Sequence, residues 1–332
     1  MKPYYNELTE KPKKPEGSLD FKKVALWLLI AFTAETATYI NAITSSAQAS
    51  ELGTGVDSIL FSPAESAAND FKEVVKRVDL YTEFTKDDII NWACVVYGNY
   101  YRGGFENRIR NIKVLDRDKY SRRGCTYING DVDISYDYDA YDVYEENLIT
   151  LIVVIHELAH IDQRFFTPAG VESPVDLNIG VALSEAYAIL SAYKIGKNLV
   201  ELDGSFIERD VDHVSFLHYF KRLRDKFENG KSKKSLKEHL SGALSVACLL
   251  EQYGDDQEGI SELQELFRSH ESGVIMEKIG IAISNNLQNV MHKYVDYYEH
   301  DLAMRLCMGF IIKVQGFVQK VNYDSIKITN RD

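Results

Sequence analysis

Apolar positions along the chain recur at helical spacing over most of its length and alternate like a strand only in a short middle stretch. The helical pattern appears near Pro63 to Val78 and again at Lys86 to Tyr101, which opens on Lys86-Asp87-Asp88 and stops at Gly103-Gly104. Between Arg108 and Asp116 the run RIRNIKVLD alternates as a strand. In CTYINGDVDIS, Cys125 to Ser135, one face holds Ile128, Val132 and Ile134 and the other Tyr127, Asn129, Asp131 and Asp133, which predicts a strand with one buried face. From Asp142 to about Gln315 the pattern is helical, with breaks at Thr167 to Pro174, Asp203-Gly204, Gly230, Gly254 and Ser272-Gly273. The tail, Phe317 to Ile328, reads as a final strand. The expectation is an α+β fold, mostly helical, with a small antiparallel sheet ahead of the helix that begins near Asp142 and a helical C-terminal part.

The first 50 residues stand apart. Residues 1–23 are polar and Lys-rich and lead into VALWLLIAFTA, Val24 to Ala34, which is too short to span a bilayer but fits the apolar segment of a secretory signal. Ala47-Gln48-Ala49 resembles a signal-peptidase site, and a longer reading makes residues 24–43 an uncleaved membrane anchor. Residues 1–50 are therefore read as a leader and 51–332 as the working domain, made of a mixed part (51–142), a helical pair (143–200) and a helical remainder (201–332). Export to a periplasmic or extracellular space, or membrane anchoring, follows; the alternative is an ordinary core helix in a cytosolic or virion protein.

Composition narrows the function classes. With 38 Lys+Arg against 50 Asp+Glu the net charge is −12, which repels phosphate backbones and argues against a nucleic-acid partner. Cys94, Cys125, Cys248 and Cys307 form no CxxC pair, so a thiolate zinc ribbon is excluded, while buried thiols and two disulfides both fit. The acidic stretch Ser135 to Glu146 lacks the calcium-loop spacing and reads as a turn and helix start.

The chemistry lies in NLITLIVVIHELAHIDQ, on a helix that Asp142 and Glu145 can cap. It contains HExxH as His156, Glu157 and His160. Histidines four apart share a helix face and can converge on one metal, with Glu157 placed beside a metal-bound water as general base. The rest of this segment is apolar all round, so three ionisable groups there need a reason. Two histidines are too few for a tight zinc site. The HExxHxxGxxH arrangement is ruled out because Gln163 and Phe166 occupy its last two positions. The better third ligand is Glu185, on the apolar side of DLNIGVALSEAYAILSAYKIGKN among Val181, Ala182, Ala188, Ile189 and Ala192; Asp162, Glu172 and Asp176 compete.

With these residues the sequence resembles the gluzincin-type zinc metallopeptidases, in which HExxH on one helix is completed by a glutamate on the next. The resemblance covers about His156 to Glu185. It implies a zincin-like core, Zn2+ held by His156, His160 and Glu185, Glu157 as general base, and hydrolysis of protein or peptide substrates. It also implies an edge strand above the active-site helix that pairs with extended substrate, for which Cys125 to Ser135 is in the right order. The chain departs from the family at Ile189, where many members carry an acid that orients a histidine. The oxyanion-stabilising residue is unassigned among Tyr187, Tyr193, His213 and His218. The alternative expectation is an inactive zincin-like binding or structural protein.

Overall fold

The computed structural model describes residues 59–60, 71–101, 109–120, 122–127, 130–162, 174–229, 233–268 and 272–329, all within one compact unit, 57–332. In chain order the elements are β1 (Ile59–Leu60), α1 (Phe71–Val75), α2 (Lys86–Val96, continued by a π-turn at Tyr97–Tyr101), β2 (Asn111–Asp116), β3 (Gly124–Thr126), β4 (Asp131–Tyr136), α3 (Val143–Asp162) and α4 (Pro174–Leu202). There follow α5 (Glu208–Ser215), a 3-10 turn (Leu217–Phe220), α6 (Leu223–Asn229), α7 (Lys233–Tyr253), α8 (Gln257–Arg268), α9 (Ser272–Tyr294) and α10 (His300–Thr329). The fold is mostly helical with one small sheet. The expected leader, 1–50, lies outside the described residues, and none of the described helices is long and apolar enough to cross a membrane.

The strand expectations need two corrections. Cys125 to Ser135 is not one strand but two, β3 and β4, joined by a turn in which Gly130 N–H donates to Tyr127 O. Asn129-Gly130 is itself a turn signal, and Gly130 takes the left-handed φ of +92° that glycine adopts without strain. The sheet is mixed rather than antiparallel: its order is β1-β2-β4-β3, and β2 runs parallel to β4 from Asn111↔Asp131 to Asp116↔Tyr136. Only β1 with β2 and β3 with β4 are antiparallel. Alternation reveals which face a residue takes, not which strand lies beside it. Val132 and Ile134 are buried as expected, together with Ile112 and Val114 of β2.

Two helical expectations shift as well. The first helix covers only Phe71–Val75 of the expected Pro63 to Val78, and residues 61–70 lie outside the described residues. The tail is helical through Thr329, not a strand. Leu302, Ala303, Leu306, Cys307, Phe310, Ile311 and Val314 form the buried stripe of α10 ahead of this segment, and at its start Phe317 lies near Gly273 and Val318 against Gly280 of α9. A neighbouring helix therefore claims this segment over its β-branched preference.

Helices α3 and α4 form the centre. Trp92 Nε1 of α2 donates to Leu151 O of α3 at 3.1 Å, fixing α2 on one side of α3. α4 is buried nearly all round over its described side chains, including Tyr187 and Ser191. Its polar positions meet α8 instead of water: Tyr187 packs at a tilt near Phe267, and Lys194 Nζ donates to Gln264 Oε1 at 2.8 Å. All four cysteines are free thiols.

Candidate metal centre

Asp142 starts α3 as expected, its Oδ1 accepting from Glu145 N–H at 3.0 Å. Leu151, Ile155, Leu158, Ala159 and Ile161 then bury the rod, so His156 and Glu157 end up only 8% exposed. The Nε2 atoms of His156 and His160 face each other at 3.1 Å. Glu185 enters from α4, with Oε2 3.3 Å from His156 Nε2 and Oε1 3.7 Å from His160 Nε2. Among the described residues these are the one group of three potential ligands whose donor atoms all lie within 4.8 Å of one another. Glu172, and the side chains of the competing acids Asp162 and Asp176, lie outside the described residues.

The donor set fits a zinc ion. Tetrahedral ligands at zinc–ligand distances of about 2.0–2.1 Å stand about 3.3 Å from one another, and the separations of 3.1, 3.3 and 3.7 Å bracket that edge. Two imidazoles and one carboxylate suit zinc better than calcium or magnesium, which favour oxygen-only shells. Glu185 Oε2 is buried, with the ring nitrogens of His156 and His239 beside it at 3.3 and 3.4 Å.

Both histidines are steered from behind. His160 Nδ1 lies 2.9 Å from Ser184 Oγ, and His156 Nδ1 lies 3.5 Å from the Tyr219 hydroxyl. With Nδ1 engaged, Nε2 of each ring turns inward. Ser184 and Tyr219, and not residue 189, are the groups beside the two Nδ1 atoms.

Electrostatics couple the cluster. Burial works against the Glu185 charge, yet His239, His160 and His156 outweigh it and hold the carboxyl far below the usual range. Burial would lower His156, but its bond to Glu185 and the charges of Glu185 and Glu157 raise it instead. For His160 burial prevails and the ring is held below its ordinary value.

Two residues at the site were not anticipated. His239 of α7 places Nε2 3.4 Å from Glu185 Oε2, and its ring lies 6.1 Å from that of His156 at an interplanar angle of 8°. It reaches there because Gly242, one turn further along α7, lets that helix close on α4: a Cβ at 242 would stand 2.8 Å from both Ala186 N and Glu185 Cβ. The small run Ser241-Gly242-Ala243 was the sequence signal for this crossing. Tyr219 sits on the 3-10 turn, its ring 5.9 Å from His239, and burial raises its pKa well above the ordinary value. The sequence candidates fall elsewhere. Tyr187 is in the core, Tyr193 packs on Phe216, His213 is exposed, and His218 is turned against the Tyr219 ring.

Glu157 meets the sheet edge. Thr126 Oγ1 of β3 lies 2.7 Å from Glu157 Oε2 and 2.8 Å from Glu157 O. Comparison of the chain with protein-family models, with curated proteins and with solved structures finds no match.

Proposed function

We propose that this chain is a zinc-dependent metallopeptidase of gluzincin-like, zincin-type architecture, with His156, His160 and Glu185 as zinc ligands and Glu157 as general base. The observation that carries this reading is the convergence of three donors, from two helices, at tetrahedral spacing, with a carboxylate next to the first histidine. When bound, zinc would polarise the scissile carbonyl and make an attacking water acidic at neutral pH. Glu157 accepts the proton from that water and delivers it to the leaving amine. His239, beside Glu185 and His156, is the candidate donor to a developing oxyanion, in place of Tyr187, Tyr193, His213 and His218. β3 is the edge of the sheet, paired with β4 on one side only among the described residues, and it offers backbone groups to an extended peptide.

The test is Glu157→Gln. It should retain stoichiometric zinc and lose peptide hydrolysis by about 100- to 10,000-fold, measured on a peptide library with a chelator control. Wild-type turnover in that variant refutes the assignment. Metal analysis of Glu185→Ala tests the ligand set, since full zinc retention removes Glu185 from it.

One observation favours a second reading, an inactive zincin-like structural or binding protein. His239 Nε2 is 3.4 Å from Glu185 Oε2 but outside the group of donors within 4.8 Å, so a shift of this ring toward His156 and His160 would close the site as a fourth protein ligand. X-ray absorption on the zinc-loaded protein separates the two: three protein ligands plus solvent support catalysis, and four protein ligands support bracing. Export or membrane anchoring through residues 24–43 belongs to the same proposal, and N-terminal sequencing of the mature protein tests it.

A further inference from the structure

The edge strand touches Glu157 by a route unlike the histidine partners. Residues two apart on a strand face the same way, so Gly124 and Thr126 both look down on α3 while Cys125 between them turns outward. Cys125 there helps line a cavity of about 300 Å³ with Arg122, Tyr127 and Asp133. Below, Gly124 lies over Glu157 so closely that a Cβ at 124 would stand 2.6 Å from both Glu157 Cγ and Oε1, and 2.8 Å from Val153 Cγ1. Thr126 Oγ1 takes the other side of the carboxylate, 2.7 Å from Oε2. Its single proton can serve Oε2 or the main-chain oxygen of Glu157 at 2.8 Å. The carboxylate is the charged and stronger acceptor, so it holds that proton when ionised. The strand is itself tied to α3, because the Arg123 guanidinium donates to both carboxylate oxygens of Glu146.

Resting on the hydrolytic reading above, we infer that Thr126 is a positioning residue for Glu157. Its hydroxyl engages Oε2 and, with Gly124 close above Oε1, sets the plane of the general base, so that proton transfer falls to Oε1. The edge strand then has two tasks, pairing with substrate through its backbone and aiming the base through a side chain of the same three residues. Such aiming acts on the rate of the chemical step and not on substrate or metal binding, because the Thr126 hydroxyl engages Glu157 and the backbone that Thr126 offers at the free edge is kept when the hydroxyl alone is removed.

The experiment uses the zinc-loaded full chain with Thr126→Val, which keeps the shape and removes the hydroxyl, and Thr126→Ser, which restores it. The inference expects Thr126→Val to lower kcat by about 10- to 100-fold with KM and bound zinc unchanged, and Thr126→Ser to recover most of the loss. It also expects no further loss from Thr126→Val in a Glu157→Gln background. In metal-free protein, the drop in Tm caused by Thr126→Val should shrink in a Glu157→Ala background, a readout of the contact that needs no turnover. Wild-type kcat in Thr126→Val, or strictly additive Tm changes, overturns the positioning role while leaving the hydrolytic reading intact. An inert zinc-loaded wild type overturns the hydrolytic reading itself, and the positioning role with it.

Discussion

The two ends of α3 both bury polar groups, but on opposite plans. Near its start Asn147 is wholly buried with every bond made: Nδ2 donates to Leu80 O at 3.0 Å and Thr82 O at 2.8 Å, and Oδ1 accepts from the Tyr136 hydroxyl at 2.8 Å. That hydroxyl in turn accepts from Phe84 N–H at 3.0 Å. Glu146 beside it is closed off in the same manner by Arg123 and by Asp137 N–H. Further along the same helix, two ring nitrogens confront each other at 3.1 Å, and Glu185 Oε2 of α4 meets His156 and His239 only at 3.3 and 3.4 Å. Burial is therefore common to both sets, and what separates them is whether the protein completes its own bonds. A complete polar network braces a fold, whereas one that converges and stays unfinished is built for an added group.

Substitutions at the two ends should sharpen this contrast. The largest effect is expected from Asn147→Ala, which leaves Leu80 O, Thr82 O and the Tyr136 hydroxyl without their partner. It should cost about 3–5 kcal/mol in urea unfolding, the same with and without zinc, whereas the loss from Glu185→Gln should grow when zinc is added; losses that respond to zinc alike would erase the distinction. Next is zinc itself. At a free concentration 100 times its Kd it should stabilise the wild type by about 2.7 kcal/mol, seen as a rise in Tm that Glu185→Ala lacks.

His218 lies between the two plans, half-buried, with its Nδ1 buried and unpartnered and its ring facing Lys226, His156, His213 and Tyr219. Burial first, then the charge of Lys226, pull its pKa down to about 3 from 6.5. The unfolded chain then takes up a proton below pH 6.5 that the folded chain refuses until about pH 3. Stability should accordingly fall as pH drops through that window, by about 2 kcal/mol at pH 5. His218→Gln should flatten this slope in acid unfolding curves, and an unchanged slope would show that the ring is not buried as described. The smallest expected effect is that of Ser184→Ala, which frees His160 Nδ1 and should weaken zinc binding about tenfold, or about 1.4 kcal/mol, by competition titration with a chelator.

Much of the candidate site was legible in the chain because it depends on local geometry. HExxH places His156 and His160 one turn apart on any helix, and a carboxylate on the apolar side of the next helix singles out Glu185 by pattern alone. His239 and Tyr219 were hidden for the opposite reason. Their approach depends on how closely α7 crosses α4 at Gly242 and on the path of a four-residue turn, neither of which leaves a periodic trace. The hairpin was misread because alternation continues across Asn129-Gly130, so the turn signal was overridden by the pattern around it. The tail was misread because its β-branched residues suit a strand, while α9 was the surface available to it.

From sequence alone came what short-range physics dictates: mostly helical architecture, the capped start of α3, and which three side chains could share an ion. The tertiary structure decided what depends on separate segments meeting. It chose the parallel pairing of β2 with β4, the hydroxyls of Ser184 and Tyr219 behind the histidines, and the Thr126 hydroxyl on Glu157. Helical periodicity constrains neighbours within a few residues, whereas contacts between residues 30 or 60 positions apart follow from which surfaces pack together, and no local rule encodes that choice.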